Sequence, residues 1–366
     1  MSEYRYLFAD LLTNQIKAEL PLSGVTFGQE LNTSGPFSGH LLLSGVNSYT
    51  LNVSDATQPG KTAIYVDRDG TIVWAGILWS REYSSSEQKI TLSGREFESY
   101  FEHRRINFDY NLDQNSQDQL LVVRNLFNTI QGSTGSSTNI GVQVGTETSG
   151  VNVTKYYNSY DLKPLTEAVY ELSKSNTGFD WNVDVSYDSS YNINKYLRLE
   201  YPRRGRVYSA TSSTSSMLEF PGNIIEYTYP EDGTAVTNTM YGIGAGSAAA
   251  KLISTQSDAG QLTAGWATLE NSVSYTDYWD QTLLDQLTYA QLQAVKNPVT
   301  VMTVTIPTYI DPILGSYGTG DDFRIRITDD RFPTTLDVVR RLSKYDVQVG
   351  DAGAERVVMS FVVTTN

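Results

Sequence analysis

Two alternating runs near the C-terminus constrain this chain more than any other feature. Over residues 334–365 the first run carries Val339, Leu342, Tyr345, Val347 and Val349, and the second Val357, Met359, Phe361 and Val363. Gly350-Asp351-Ala352-Gly353 separates them. Period-two alternation closed by an Asp/Gly turn predicts a long β-hairpin. A lone hairpin is marginal in water, so its apolar face needs further strands. The composition favours such partners: Tyr occurs 25 times, with 12 Phe and 5 Trp, and charged residues are only 19%. Aromatic and β-branched side chains pack well on a pleated surface.

Partners are readable from the N-terminus onward. Residues 4–20 predict a hairpin turning at Thr13-Asn14, with Tyr6 and Phe8 on one arm and Ile16, Ala18 and Leu20 on the other. Residues 25–31 and 40–43 predict strands divided by the breaker run Asn32-Thr33-Ser34-Gly35-Pro36. Residues 62–66 and 71–79 predict a second hairpin around Asp67-Arg68-Asp69-Gly70, followed by a strand at 89–93 and a short helix within 95–103. Such regular strand spacing predicts a small β-barrel or sandwich over residues 1–105.

The period then changes. Leu120, Val123, Phe127 and Ile130 recur at helical spacing in 117–131, with Ser116 as N-cap and Gly132 as stop. A second helix at 164–175 carries Leu165, Ala168, Val169 and Leu172, and alternating strands follow at 179–187 and 196–201. Residues 106–222 therefore predict an α+β domain. Strands return at 224–229, 235–241, 272–275, 299–305 and 323–328, interrupted by a helical insertion at about 276–296. The predicted class is mainly β with an α+β insertion, in three domains: 1–105, 106–222 and 223–366.

Several function classes are disfavoured. The net charge of −14 opposes nucleic-acid binding, which needs clustered Lys and Arg. The chain has no Cys, so disulfides and thiolate metal sites are excluded. Met-Ser-Glu-Tyr-Arg is not a basic segment leading into an apolar run, so no signal peptide is expected. No apolar stretch reaches the roughly 18 residues of a membrane span.

Chemistry-bearing constellations are weak. His40 and His103 stand alone, without a second His or a carboxylate at ligand spacing. Asp67-Arg68-Asp69-Gly70 begins like a calcium loop, but Ile72 and Val73 follow at once, which favours a plain turn. Gly244-Ala245-Gly246-Ser247-Ala248-Ala249 matches a dinucleotide pattern without the parallel βαβ context it requires, although 248–253 is compatible with a helix. Asp321-Asp322 and Asp329-Asp330 are adjacent in sequence, so their side chains diverge on a strand and suit turns better than a glycosidase pair. Trp74, Trp79 and Trp181 lie in apolar strands and suit a core. Arg203-Arg204-Gly205-Arg206 stands out on an acidic chain, either as a partner-facing patch or as a solvated turn. No catalytic, cofactor-binding or metal-binding residue is nominated, no cofactor is expected, and the chain is expected not to be an enzyme. The aromatic content supports an alternative, a glycan-binding adhesion module, which requires exposed rings in a shallow groove.

A family resemblance rests on motifs spread along the chain. They are YLFADLLTNQIKAEL at 6–20, IVWAGIL at 72–78 with 90–94 and Arg104-Arg105-Ile106, and Gly178-Phe179-Asp180-Trp181 leading to Tyr201-Pro202-Arg203-Arg204-Gly205. Pro221-Gly222-Asn223-Ile224, YGTGD at 317–321 and VQVGDAGAERVV at 347–358 complete the set. In order and spacing the chain resembles the central tail-tip or baseplate hub proteins of long-tailed bacteriophages, the minor tail proteins of actinobacterial siphophages. The resemblance implies two tail-tube-like β-barrel modules plus an accessory domain. It also implies a homotrimer whose six modules ring a DNA channel and join tube to tip. Implied partners are the distal tail protein or tube ring, the tape-measure protein and other tip or fibre proteins, with DNA only in transit. The implied location is the virion tail tip, assembled in the host cytoplasm. Ending at Asn366 without a fibre or lysozyme-like extension, the chain is expected to leave receptor binding and wall digestion to other subunits.

Overall fold

The C-terminal hairpin forms where its alternation places it, and it sits inside a much larger sheet. A computed structural model of the chain describes residues 2–45, 52–175, 177–209, 217–276, 278–298, 301–350 and 354–363. In chain order the first elements are β1 (Tyr4–Asp10), β2 (Ile16–Glu19), β3 (Ser23–Glu30), β4 (Pro36–Leu42), α1 (Val53–Ala56), β5 (Thr62–Arg68), β6 (Thr71–Ser84), β7 (Lys89–Glu96) and α2 (Glu98–Glu102). The middle holds β8 (Gln117–Asp118), α3 (Gln119–Gln131), β9 (Val142–Val144), β10 (Asn152–Val153), α4 (Leu165–Ser173), β11 (Asp180–Tyr187) and β12 (Ile193–Glu200). Then come β13 (Met217–Phe220), β14 (Glu226–Thr228), β15 (Thr239–Ile243), β16 (Ile253–Ser257), α5 (Ala259–Thr263), β17 (Glu270–Ser274) and α6 (Gln281–Val295). The chain closes with β18 (Met302–Pro307), β19 (Asp322–Ile327), β20 (Leu336–Val349) and β21 (Glu355–Val363).

β20 and β21 pair antiparallel, with Leu342 opposite Phe361, Tyr345 opposite Met359 and Val347 opposite Val357. All six are buried. The step of three between Leu342 and Tyr345 breaks strict alternation, and a bulge between Leu342 and Lys344 absorbs it. The turn residues 351–353 lie outside the described residues, but the Gly350 amide donates to the Ala354 carbonyl at 2.7 Å. Along its other edge β20 gives its first half to β19 and its second half to β3.

That pairing merges the two ends of the chain. The main sheet runs β14-β18-β21-β20-β3-β4-β7-β6-β5-β1-β2, with β13 and β19 attached beside β20. The chain is mainly β, but no sheet closes into a barrel among the described residues, which corrects the expected barrel modules. The reason is that β3 pairs with β20 rather than closing onto its own module. A buried bidentate pair adds a second tie: Arg68 Nε and Nη2 donate to Glu355 at 2.7 and 2.9 Å.

The middle helices cover one face of the N-terminal strands. Leu7, Tyr65 and Ile77 from β1, β5 and β6 share a core with Phe101, Phe127, Val169, Trp181 and Leu197. Phe101 and Phe127 are centred 4.4 Å apart. The helix expected at 117–131 is α3, and Gly132 ends it at φ +66°. Its cap is Asp118, not Ser116.

Residues 1–227 with 303–366 form one compact unit, and 228–302 a second. In the second, β15 is flanked by antiparallel β16 and parallel β17. α6 packs on this sheet through buried Leu284, Thr288 and Leu292. Asp280 caps it, accepting from the Leu283 amide at 2.8 Å. The stretch 248–253 is a single 3-10 turn, Ala248–Ala250, leading into β16 rather than a helix.

Candidate functional site: an arginine–aspartate junction

Three of the motifs converge in the larger unit. β11 opens at Asp180, the chain leaves β12 through 201–206, and β19 opens at Asp322 beside β20. Asp322 is 2% exposed and accepts from Arg203 Nη2 at 2.6 Å and Nη1 at 3.3 Å. Asp321 accepts from the Arg206 amide at 2.6 Å and from its Nε and Nη2 at 3.2 and 2.9 Å. Arg204 Nη2 donates to Asp184 at 2.7 Å, and its amide to Asp180 at 2.7 Å. Asp180 also pairs with Arg341 and accepts from Asn32 Nδ2 at 2.8 Å. Arg341 donates back to the Arg204 and Gly320 carbonyls at 2.9 and 3.1 Å.

The basic run is not a free patch: Arg203 and Arg204 are half-buried and paired, and Gly205 and Arg206 are exposed, with Arg206 still bonded to Asp321. Its side chains and backbone are matched to Asp180, Asp184, Asp321 and Asp322. Buried charges persist when each is paired and hydrogen-bonded in this way. Burial works against the charge on Arg204, but Asp184 outweighs it and the pKa stays above the usual value.

Beside the junction lie two buried carboxyls, Glu96 and Glu98. Burial pushes Glu98 up to about 7, against hydrogen bonds from the Val183 amide at 2.5 Å and from Asn182. Burial also raises Glu96, and Glu98 adds to the effect; Glu96 accepts from the Gly35 amide at 2.7 Å. The Glu98 bonds tie α2 to β11, and the Glu96 bond ties the end of β7 to the segment leading into β4. Chemically, the arrangement is a clamp holding three chain segments at fixed spacing.

The remaining candidates are dispersed. His40 lies half-buried in β4, and His103 is exposed with its ring against Trp79. Asp67 accepts from the Gly70 amide at 2.8 Å and from the Tyr187 hydroxyl at 2.7 Å, so 67–70 is a hairpin turn. The Gly244 and Ala245 amides donate to the Leu252 and Tyr278 carbonyls, so these two are engaged within the chain. Asp329 holds the Arg331 and Phe332 amides at 2.9 Å in a turn. Trp74 and Trp181 are buried, and Trp79 donates to Ser99 at 2.8 Å. Among the described residues, no group of three or more His, Asp or Glu side chains is placed to hold a metal. Sequence reasoning missed Asp184, Arg341, Glu96 and Glu98; the available signal was a charge set within an apolar alternation.

No family model matches the chain, and no curated protein does. Solved structures do match over nearly its whole length. The tail protein from Neisseria meningitidis MC58 aligns over 98% of this chain and 96% of its own, with a TM-score of 0.56 at 13% identity. The 43 kDa tail protein of prophage MuSo2 from Shewanella oneidensis aligns over 98% of both chains, with a TM-score of 0.58 at 13% identity. This is a phage tail-protein fold. Prophage tail protein gp18 from Listeria monocytogenes EGD-e aligns over 97% of this chain and 94% of its own, with a TM-score of 0.54 at 11% identity. Within the tail-protein fold the junction occupies the place where both ends of the chain and the middle segment meet.

Proposed function

We propose that this chain is a structural subunit of a phage tail, forming a trimeric hub at the tip end of the tube. The observation that carries the reading is the end-to-end likeness to tail proteins, with 98% of this chain aligned to 98% of the MuSo2 protein. In this reading three copies close a ring with six strand-rich modules, drawn from residues 1–105 and 223–366 of each. The ring joins the tail tube to the tip and surrounds the passage for DNA. Net charge −14 suits a wall along which DNA slides without sticking. The main sheet ends at β2 and β14, and pairing such edges between neighbours is a general route to closed rings. A distal tail protein or tube ring, the tape-measure protein and other tip proteins are its neighbours, and its place is the virion.

Light scattering on the purified chain tests this. A particle of three times the 40.7 kDa chain mass, ring-shaped in electron micrographs, is expected. A stable monomer that antibodies fail to find on virions sinks it.

A further inference from the structure

A cavity of about 530 Å³ opens among the β1–β2 hairpin, the β5–β6 turn and the β11–β12 hairpin. Arg5, Asn14, Asp67, Tyr187, Tyr191 and Asn192 line it. Its size falls inside the general range for small-molecule pockets. Tyr187 and Tyr191 are centred 6.0 Å apart with their planes at 52°. The Tyr187 hydroxyl is anchored on buried Asp67, which fixes its ring.

Tyr191 is the informative residue. It is 78% exposed, and its backbone sits at φ +61°. A bulky side chain rarely adopts that conformation, and burial of the ring does not repay it here. The turn beneath is rigid: Asp188 accepts from the Ser190 and Asn192 amides at 2.7 and 2.9 Å. The ring is therefore held out over the cavity mouth by a built turn.

The charged groups of the wall are already engaged, Asp67 by the Gly70 amide and the Tyr187 hydroxyl and Arg5 by Glu19. Arg5 uses Nε and Nη2 on Glu19, at 3.1 and 2.8 Å, and keeps Nη1. Asn192 gives Nδ2 to Asp188 and keeps Oδ1. The wall thus offers a donor, an acceptor and two aromatic rings, with its guanidinium already neutralised. A phosphate or nucleotide needs uncompensated cations, and an apolar ligand would strand the polar groups. A sugar ring matches: its hydroxyls both donate and accept, and its C–H face lies on aromatic carbon.

We propose that this cavity binds a neutral saccharide, with Tyr191 and Tyr187 as the stacking platform and Asn192 and Arg5 as hydroxyl partners. The proposal does not rest on the tail-hub reading, because the cavity lies within one chain. Titration calorimetry on the full chain, in whatever assembly it forms, tests it with N-acetylglucosamine trimer, maltotriose and rhamnose as probes. Glucose 6-phosphate serves as the charged control. Saturable binding of a neutral probe is expected, weakened about tenfold by Tyr191→Ala with an unchanged melting temperature. Asn192→Ala, on the same exposed turn, is expected to weaken it several-fold. Failure of every neutral probe to saturate below ~10 mM overturns the proposal. So does affinity indifferent to Tyr191→Ala, or preference for the phosphorylated control.

Discussion

Gly205 and Gly320 cross backbone to backbone, the first exposed and the second buried. A Cβ on Gly320 would stand 2.7 Å from the Arg204 carbonyl oxygen, and one on Gly205 would overlap the Gly320 carbonyl. Both residues are left-handed, at φ +91° and +98°. The crossing sets Arg203 and Arg206 against Asp322 and Asp321. Gly205→Ala or Gly320→Ala adds a left-handed penalty of about 1–2 kcal/mol to an overpacking cost of about 1–3 kcal/mol. Each is expected to lower the urea midpoint clearly, whereas Gly318→Ala, with open space around it, leaves it nearly unchanged. The two costs arise at one contact, so the double variant should fall short of their sum. Equal midpoints for all three single variants would remove the crossing as a structural determinant.

Asp180 gathers more separate residues than any other carboxylate of the junction. It receives Arg341, the Arg204 amide and Asn32 together. Asp180→Ala leaves a guanidinium and a backbone donor buried without their acceptor. Removing one partner of a buried pair costs about 3–5 kcal/mol. The half-exposed pair Arg95–Glu102 is the control, where Glu102→Ala is expected to cost about 0–1 kcal/mol. Denaturant unfolding of the two variants side by side gives the comparison, and a similar loss in both contradicts the junction's central role.

Glu98 sets a pH dependence of definite sign. Its folded pKa of about 7 lies above the ordinary glutamate value of 4.5, chiefly because the carboxyl is desolvated. The folded state therefore holds a proton that the unfolded state releases. Its contribution is fully present below the unfolded pKa and is lost as pH rises through about 7. Other carboxylates, Glu355 among them, are lowered by their partners and pull the opposite way. The test is therefore a difference: Glu98→Gln keeps an acceptor for the Val183 amide and cannot ionise. Relative to the parent, its stability is expected to rise between pH 5 and pH 8. A pH-independent difference would place the Glu98 carboxyl in the ordinary range.

The arms of the terminal hairpin were legible because period two survives in Val357, Met359 and Phe361. Even the bulge left a trace, in the step of three from Leu342 to Tyr345. The pairing of β20 with β3 left none, since Tyr345 meets Gln29 across more than three hundred residues and no local pattern encodes that choice. The barrel expectation failed at this point. The junction was half legible. Arg203-Arg204-Gly205-Arg206 and Asp321-Asp322 each stood out, but their complementarity depends on a backbone crossing that sequence spacing does not reveal. Asp180 lay inside the resemblance motif Gly178-Phe179-Asp180-Trp181, where nothing distinguished a buried acceptor from a strand-end charge.

The helix cap at α3 separates sequence signal from structural use in one experiment. Ser116 had the right side chain two residues early, but it is exposed and Asp118 does the capping. Asp118 Oδ1 accepts from the Leu120 and Leu121 amides at 2.9 and 3.3 Å. Its Oδ2 takes the Ser149 and Gly150 amides at 2.9 and 2.8 Å, so the same carboxylate pins a distant loop. Burial pulls the Asp118 pKa up, but the bonds from Ser149, Gly150 and Leu121 outweigh it and hold it below the usual range. Its stabilisation is therefore present above the unfolded carboxylate pKa and is lost as pH falls through the folded one. Asp118→Ala removes the cap, at about 0.5–2 kcal/mol, and leaves two loop amides without their acceptor. Asp118→Asn preserves most of the cap because Asn is an equally good N-cap residue. The expected order of thermal midpoints is Ser116→Ala near the parent, Asp118→Asn lower and Asp118→Ala lowest. A Ser116→Ala loss as large as that of Asp118→Ala would return the cap to the residue the sequence nominated.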